Sequence, residues 1–350
     1  MLRIGILGSG FMGQTHAAAI SRVPELRVSA VACGSRAQRL AAQYSASYES
    51  SASSLISRPD VDAVVIATPH FAHTQDALSA IDAGKPVLIE KPMATTLEDC
   101  HAILDASRRT GVPIAVGYHQ RFRRTVREAR KLIATGRIGE ILTVQISMPM
   151  FWPETVNAVG DHWEWWRDPR SVGHILNSGP HAVDLLRWFL SSEVREVAAF
   201  CQPGPLPGEP ERTTMALLRM ERGALASLYS SNMLPCAPFP GEEFRLRIVG
   251  AEGLIDLNPY GELRISSADG WRVVDRQRPI DQESDAAFGD VRVQAYRDQI
   301  QAFALRIKGE PSDCGDGRDG EAGVSVCLAM LASSKMKSLI AITGDGFRHG

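Results

Sequence analysis

The chain has 350 residues, of which 44% are hydrophobic and 22% charged, a composition typical of a globular protein with room for two domains. The formal net charge of −2 argues against a polyanionic partner, so we expect no nucleic-acid binding. We also expect neither a membrane span nor a signal peptide, because no apolar run is long enough and a strand begins at once. The scattered cysteines, without a C-x-x-C, predict no metal site and a reducing, cytoplasmic location.

A glycine-rich turn follows the first predicted strand. It is Gly8-Ser9-Gly10-Phe11-Met12-Gly13, a G-x-G-x-x-G between an apolar run at 3–7 and an alanine-rich helical segment at 14–23. A second strand is predicted at 26–32. This order of strand, turn, helix and strand is typical of dinucleotide binding, with the pyrophosphate on free N–H groups at the helix start. An ordinary glycine turn in an α/β domain is the alternative.

Strands and helices continue to alternate as far as residue 122. Helices are predicted at 37–44, 73–83 and 97–109, and buried strands at 63–67, 86–89 and 114–116. Such alternation predicts a parallel, doubly wound sheet. We therefore predict a dinucleotide-binding Rossmann domain over residues 1–122.

Strands dominate the remainder, residues 123–350. Helices are predicted at 125–135, 181–190, 291–307 and 320–338, and strands at 141–150, 194–200, 213–220, 224–230, 244–249, 254–257 and 271–274. Consecutive strands predict an α/β domain with an open, mixed and largely antiparallel sheet. We expect this domain to bind substrate and form oligomers, and its last helices could pack back on the first domain.

A lysine that could act in catalysis follows the fourth predicted strand, in Glu90-Lys91-Pro92. Ligands of a doubly wound sheet bind beyond the carboxyl ends of its strands, so Lys91 is expected to face the cofactor crevice. An ammonium there can stabilise the charge of a developing alkoxide. A surface lysine is an equal alternative.

A histidine after a glycine-containing loop is the second catalytic candidate. His181 and Asp184 lie three residues apart, on one face of a helix that we predict to begin at His181. Imidazole at a helix start suits proton transfer near neutral pH. A capping or core-edge histidine is the alternative, and taken alone the residues favour it.

Five motifs occur in order along the chain: Gly8-x-Gly10-x-x-Gly13, Ala67-Thr68-Pro69 with His73, Glu90-Lys91-Pro92-Met93-Ala94, Gly117-Tyr118-His119-Gln120-Arg121-Phe122, and Asn177-Ser178-Gly179-Pro180-His181-Ala182-Val183-Asp184. Together they resemble the glucose–fructose oxidoreductase and inositol dehydrogenase family of NAD(P)-dependent oxidoreductases. The resemblance covers nearly the whole chain. It implies hydride transfer between nicotinamide and a carbinol or carbonyl carbon of a sugar, inositol or related polyol.

The resemblance also implies roles for the matching residues. Lys91 would be the catalytic lysine and His181 the histidine that transfers the proton, with Asn177 as the third catalytic position. The cofactor would contact Gly8, Gly10, Phe11, Met12, Gly13, Thr68, Pro69, His70, His73, Glu90 and Lys91. The substrate would contact Tyr118, Arg121, Trp163, Arg167, Asn177 and His181, and no metal is implied.

Two positions depart from the family pattern. Asn177 stands where many members have an aspartate, and an amide can position a substrate but cannot ionise. A proton relay assisted by a carboxylate is therefore in doubt here. His174 stands where many members have glycine, and it either adds a polar group near the substrate or faces solvent.

The end of the second strand indicates which cofactor is preferred. NAD-specific sites usually have an acidic side chain there for the ribose 2′-hydroxyl, whereas this chain has Ala32-Cys33-Gly34-Ser35-Arg36. Ser35 and Arg36 would suit a 2′-phosphate, which predicts NADP. Arg36 could instead stack on the adenine, and NAD would then be accepted.

Several broader expectations complete the prediction. The segment with Trp152, Trp163, Trp165, Trp166 and Arg167 suits a sugar face or, equally, a core or subunit interface. Helices 181–190 and 291–307 would cover one face of the second sheet, so we expect a homodimer or homotetramer through the other face.

Two other functions stay open: tightly bound NAD used for hydrolysis or elimination by transient oxidation, and a non-catalytic dinucleotide sensor with a protein partner.

Overall fold

The chain forms two compact units in a computed structural model that describes residues 1–150, 168–204, 208–236, 243–278, 289–343 and 346–349. The first unit consists of residues 1–122 and 280–321, and the second of residues 123–279 and 322–350. The first stretch of the first unit therefore ends at Phe122, directly after the alternating strands and helices.

Six parallel strands form the sheet of the first unit. They are β1 (Leu2–Leu7), β2 (Leu26–Ala32), β3 (Ser47–Glu49), β4 (Ala63–Ile66), β5 (Val87–Ile89) and β6 (Ile114–Val116), in the order β3-β2-β1-β4-β5-β6. The connecting helices are α1 (Phe11–Ile20), α2 (Ala37–Gln43), α3 (Ala52–Ile56), α4 (His73–Asp82) and α5 (Leu97–Thr110). The predicted doubly wound sheet is confirmed. Its order reverses between β1 and β4, where sheets of this kind bind ligands.

Ten strands form the sheet of the second unit, which also contains α6 (Arg124–Ala134) and α7 (His174–Leu190). The strands are β7 (Ile141–Pro149), β8 (Val194–Pro203), β9 (Glu211–Met220), β10 (Leu225–Ser231), β11 (Arg245–Gly250), β12 (Leu254–Leu257), β13 (Glu262–Ser267), β14 (Gly270–Arg276), β15 (Ile340–Thr343) and β16 (Gly346–His349). Their order is β14-β13-β12-β11-β7-β10-β9-β8-β15-β16. Strands β7 and β10 pair in parallel and the other pairs are antiparallel, which confirms the mixed, largely antiparallel sheet.

The two C-terminal helices differ in which unit they join. Helix α8 (Asp290–Ile307) belongs to the first unit, where Val293, Ile300 and Phe303 share a core with Ala17 of α1. The expectation that this helix covers the second sheet is therefore wrong, because its apolar stripe is used on α1. Helix α9 (Gly317–Met336) begins in the first unit and continues in the second, where its Ser333 hydroxyl accepts a hydrogen bond from the Ala199 N–H at 3.0 Å.

The elements that the sequence did not predict are short or polar. They are β3, α3, β13, β15 and β16. Ser47-Tyr48-Glu49, for example, has no apolar run, and it forms a strand because its backbone pairs with the end of β2. Within the described ranges, no helix combines the length and apolar character needed to cross a membrane.

Candidate active site

Close backbone contacts require glycine at two of the three motif positions, Gly8 and Gly13. Gly8 has φ +107°, and a Cβ there would lie 2.3 Å from the Ala67 carbonyl oxygen at the end of β4. A Cβ on Gly13 would lie 2.0 Å from the Gly8 carbonyl oxygen, so α1 can pack this close to β1 only with glycine. Around Gly10, by contrast, no described atom lies within 4 Å of the Cβ position.

The start of α1 fits a dinucleotide pyrophosphate. Gly10 is the residue that precedes α1, and among the described residues no side chain caps this end of the helix. No described atom lies within 4 Å of the Gly10 Cβ position, so the positive end of the helix has room for an anion beside Gly10. The contacts of Gly10, Phe11 and Met12 with the cofactor stay a prediction.

The turn after β2 is tied to the glycine loop by Ser9. The Ser9 hydroxyl is buried and accepts a hydrogen bond from the Arg36 N–H at 3.2 Å. Cys33 and Gly34 both have positive φ, and a Cβ on Gly34 would meet the Ser9 hydroxyl at 2.5 Å. The side chain of Ser35 is exposed and that of Arg36 partly so, at the strand end where a ribose is recognised.

Helix α4 and the end of β4 are joined through Thr68 and His73. The Thr68 hydroxyl donates to Asp76 at 2.7 Å, and burial raises the pKa of that carboxyl. The His73 ring is fully buried, with Nε2 2.8 Å from the Thr68 carbonyl oxygen and Nδ1 2.8 Å from the Pro92 carbonyl oxygen. His70, after Pro69 in a short 3-10 turn, is also buried, which lowers the pKa of its ring well below the usual range.

The end of β5 carries the predicted catalytic lysine beside a buried hydrogen bond between His16 and Glu90. Glu90 accepts from His16 Nε2 at 2.7 Å and from the Lys91 N–H at 3.2 Å. Burial opposes the ionisation of Glu90, but the hydrogen bond from His16 and the neighbouring positive charge lower the pKa of its carboxyl overall. Burial lowers the pKa of Lys91, and the charge of Glu90 opposes that shift. A lysine with a lowered pKa at a strand end suits proton or oxyanion chemistry.

The end of β6 holds Tyr118 and Arg121 against Asp319. The Tyr118 ring is fully buried, and its hydroxyl donates to the Asp319 carbonyl oxygen at 3.2 Å. Arg121 Nη2 lies 2.9 Å from the Asp319 carboxylate. Asp319 and Asp316 also exchange backbone-to-carboxylate hydrogen bonds at the start of α9. The sequence analysis missed Asp319, although the glycine-rich segment around it is a local signal for a turn that starts a helix.

Helix α7 carries the second set of predicted catalytic residues. It begins at His174 and not at His181, so the predicted helix start was wrong by seven residues. The Gly179-Pro180 pair indicated a break, but Pro180 lies inside the helix. A Cβ on Gly179 would lie 2.8 Å from Cys327 Sγ, so the glycine there serves close packing instead.

The position of α7 brings three polar side chains onto one stripe. Asn177, His181 and Asp184 are separated by four and three residues, the spacing of neighbours on a helix face. His181 and Asp184 are buried and Asn177 is half-buried. Trp163 and Arg167, with Trp152, Trp165 and Trp166, lie outside the described residues.

Glu211, which the sequence analysis missed, occupies the N-terminal end of α7. Its carboxylate accepts from the Ile175 N–H at 2.7 Å and from the Thr214 hydroxyl at 2.7 Å, and burial raises the pKa of this carboxyl. His174 is buried beside it, with Nε2 3.3 Å from the Ser178 hydroxyl. The option that His174 faces solvent is therefore wrong, since the helix begins there and turns the ring inward. In the described part of the chain, no group of His, Cys, Asp and Glu side chains is arranged to hold a metal ion.

A glycine loop at the reversal point of a parallel sheet, with a lysine at the end of a neighbouring strand, defines a Rossmann-type dinucleotide enzyme. Residues 2–118 match the oxidoreductase family with an NAD-binding Rossmann fold, and residues 126–256 match the GFO/IDH/MocA C-terminal domain. The chain belongs to this GFO/IDH/MocA oxidoreductase family, as the motifs predicted.

Similar proteins cover most of the chain. Inositol 2-dehydrogenase 2 of Saccharopolyspora erythraea is 30% identical and is aligned over 95% of this chain and 93% of its own. The 1,5-anhydro-D-fructose reductase of Ensifer adhaerens is 29% identical over 80% of this chain and 79% of its own. A levoglucosan dehydrogenase solved with NADH and levoglucosan has the same fold, with a TM-score of 0.83, 24% identity and coverage of 98% and 99%. This chain is accordingly an NAD-binding dehydrogenase or reductase.

Proposed function

We propose that this enzyme interconverts a carbinol and a carbonyl group on a sugar, inositol or related polyol. The names of the relatives support this class, because they act on inositol and on an anhydro sugar. When bound, the nicotinamide cofactor accepts or supplies the hydride at its C4 atom. In the oxidative direction the carbinol carbon gives up that hydride, the hydroxyl gives up a proton to the protein, and a carbonyl compound results.

Lys91 carries the proposal. Its ammonium is attached at the carboxyl end of β5, the edge at which doubly wound sheets bind cofactors, and it is partly buried beside ionised Glu90. We assign it the hydrogen bond to the reacting substrate oxygen. A donor in such a poorly solvated environment stabilises alkoxide charge more than water does.

His181 and Asn177 have complementary proposed roles on α7. We assign His181 the transfer of the hydroxyl proton, since imidazole can act as acid and base near neutral pH. Asn177 orients the substrate through its amide and cannot take a proton. The further proposed substrate contacts are Tyr118, Arg121, Trp163 and Arg167. Asp319 fixes two of them, because it accepts a hydrogen bond from the Tyr118 hydroxyl and forms an ion pair with Arg121.

The experiment that tests the function measures reduced nicotinamide absorbance with a panel of polyols. We expect Lys91→Ala and His181→Ala each to lower kcat by about 10²-fold or more, with little change in the Kd of the cofactor. Partly exposed His101 on α5 gives a control, His101→Ala, that should behave as wild type. Near-normal turnover in either variant would remove that residue from the catalytic set. Protein purified with bound NAD that shows no net absorbance change with any polyol would instead favour internal transient oxidation.

Three finer properties are part of the proposal. NADP is the preferred cofactor, supported by exposed Ser35 and partly exposed Arg36 at the end of β2, a turn without a carboxylate. The enzyme is a homodimer or homotetramer joined through its ten-stranded sheet, supported by exposed apolar side chains on that sheet. It works in a reducing cytoplasm, supported by six cysteines that are all free thiols.

A further inference from the structure

The turn Glu90-Lys91-Pro92 is held by buried histidines from two different helices. His16 comes from α1, the helix of the glycine loop, and His73 comes from α4. Both rings are fully buried. One contacts the residue before Lys91 and the other contacts the residue after it.

On the first side, His16 fixes the carboxylate of Glu90. His16 Nε2 donates to one carboxylate oxygen at 2.7 Å, and the other oxygen accepts from the Lys91 N–H at 3.2 Å. The space is tight, because a Cβ on Gly117 would lie 3.0 Å from the same carboxylate. The Glu90 side chain therefore ties the Lys91 backbone to α1.

On the second side, His73 joins the ends of two strands. Its Nδ1 faces the Pro92 carbonyl oxygen and its Nε2 faces the Thr68 carbonyl oxygen, each at 2.8 Å. Carbonyl oxygens only accept, so an imidazolium satisfies both contacts while a neutral ring satisfies one. Burial lowers the pKa of the ring, and the two carbonyls with the charges of Glu90 and Asp76 oppose that shift.

We propose that His16 and His73 are positioning residues that hold the Lys91 ammonium in its reactive orientation, acting through the Glu90 carboxylate and the Pro92 carbonyl. The inference rests on the proposed catalytic role of Lys91. It also gives His73 a different task from the cofactor contact expected from sequence, since both ring nitrogens already face backbone carbonyls. A displacement of about 1 Å at a reacting group can cost as much as 10²-fold in rate, so such support is needed.

Substitutions by Asn and Gln test the two contacts, because they are expected to have opposite effects on kcat at the two positions. The amide nitrogen of Asn is as many bonds from Cβ as histidine Nδ1, and that of Gln as many as histidine Nε2. At position 73 the contact with Pro92 uses Nδ1, so His73→Asn should keep kcat near wild type and His73→Gln should lower it roughly 10- to 100-fold. At position 16 the contact uses Nε2, so His16→Gln should keep kcat and His16→Asn should lower it to a similar degree.

The Kd of NAD and the KM of the polyol should stay close to wild type in all four variants, because the substitutions affect the orientation of Lys91 and not the binding of either ligand. If the histidines have a purely structural role, the same amide residue should give the higher kcat at both positions. That result would overturn the proposal. So would losses confined to KM or to the cofactor Kd. If one position yields protein that does not fold by thermal melting, the other position still decides, because its loss must fall on kcat and be nearly absent when Lys91 is replaced by Ala.

A second measurement separates this inference from the proposed function. In a Lys91→Ala background, His73→Gln and His16→Asn should lower kcat by less than about twofold more, because residues acting as one unit are not additive. Full additional losses there would show that the histidines act elsewhere. An unimpaired Lys91→Ala enzyme would instead contradict the proposed function. His101→Gln serves as the control, since His101 lies on α5 with its side chain 44% exposed.

Discussion

At the scale of single residues, cofactor choice depends on Arg36. Its backbone is fixed by the Ser9 hydroxyl while its side chain remains partly exposed at the end of β2. We expect Arg36→Ala to weaken NADP binding by about 1.5–3 kcal/mol, the usual worth of hydrogen bonds to a charged group, and NAD binding much less. Fluorescence titration with both cofactors measures the difference. Arg39→Ala on α2 is the matched control, because Arg39 is a nearby arginine with an exposed side chain.

Equal losses for the two cofactors would mean that Arg36 stacks on the adenine. A wild-type enzyme that prefers NAD would contradict the 2′-phosphate argument itself. Neither outcome bears on the proposed catalytic role of Lys91, since Arg36 lies at the end of β2 and Lys91 at the end of β5.

Single residues also show what local sequence can and cannot predict. Lys91 is predictable because it follows a recognisable buried strand, and strand ends of a parallel sheet share one edge. His16 was missed because its partner Glu90 is 74 residues away along the chain. Asp319 was missed for the same reason, since it meets Tyr118 across 201 residues. A side chain whose role is to hold a remote partner leaves little local signal.

At the scale of elements, we expect two glycines of the same loop to have different roles, Gly13 in folding and Gly10 in cofactor binding. A Cβ at position 13 would collide with the backbone of Gly8, whereas one at position 10 meets nothing within the described residues. We expect Gly13→Ala to lower the free energy of unfolding by about 1–3 kcal/mol, as overpacking does. Gly10→Ala should change it by less than about 0.5 kcal/mol, because a surface substitution has little effect, yet weaken cofactor binding.

Urea denaturation and cofactor titration of both variants check this pair. The contrast is the important result, because both substitutions add the same methyl group to the same motif. A stable Gly13→Ala protein would mean that α1 can move away from β1 at little cost. Unchanged cofactor affinity in Gly10→Ala would mean that the pyrophosphate binds away from the start of α1.

Helix boundaries show a second limit of sequence interpretation. Strand β2 and strand β12 were predicted at their observed bounds, because apolar runs between turn residues are distinct. Helix α7 was not, because Gly179-Pro180 is a strong local stop signal. In the folded unit the buried surroundings of α7 and the Glu211 cap on its first turn outweigh that signal.

At the scale of the whole molecule, the ten-stranded sheet has two unlike faces. Along β7, Val144, Ile146 and Met148 are buried on the face toward α7, and residues between them point the other way. On that other side, Phe200 is 84% exposed and Leu217 is 65% exposed. Among the side chains that the structure describes, the further large apolar ones exposed on strands of this sheet are Leu142, Met215, Leu225, Trp271 and Val273.

The strand register brings some of these side chains together. Phe200 of β8 is directly opposite Met215 of β9, and Leu217 follows two residues later on the same face. An exposed apolar surface of this kind is typical of an interface, and we propose that another protein surface covers it. A second copy of the chain is the partner that closed symmetry favours.

We therefore expect a homodimer or homotetramer, with a mass two or four times the 38.1 kDa of the chain, in light scattering at micromolar concentration. Leu217→Glu should shift the assembly toward monomer, because it puts a charge into the centre of the apolar surface at little cost to the folded subunit, where Leu217 is exposed. Tyr48→Glu is the control, since Tyr48 is 50% exposed on β3 of the other sheet. A monomeric wild type, or an assembly that Leu217→Glu leaves intact, would contradict pairing through this face. If Leu217→Glu yields monomers that still reduce the cofactor, each subunit has a complete active site.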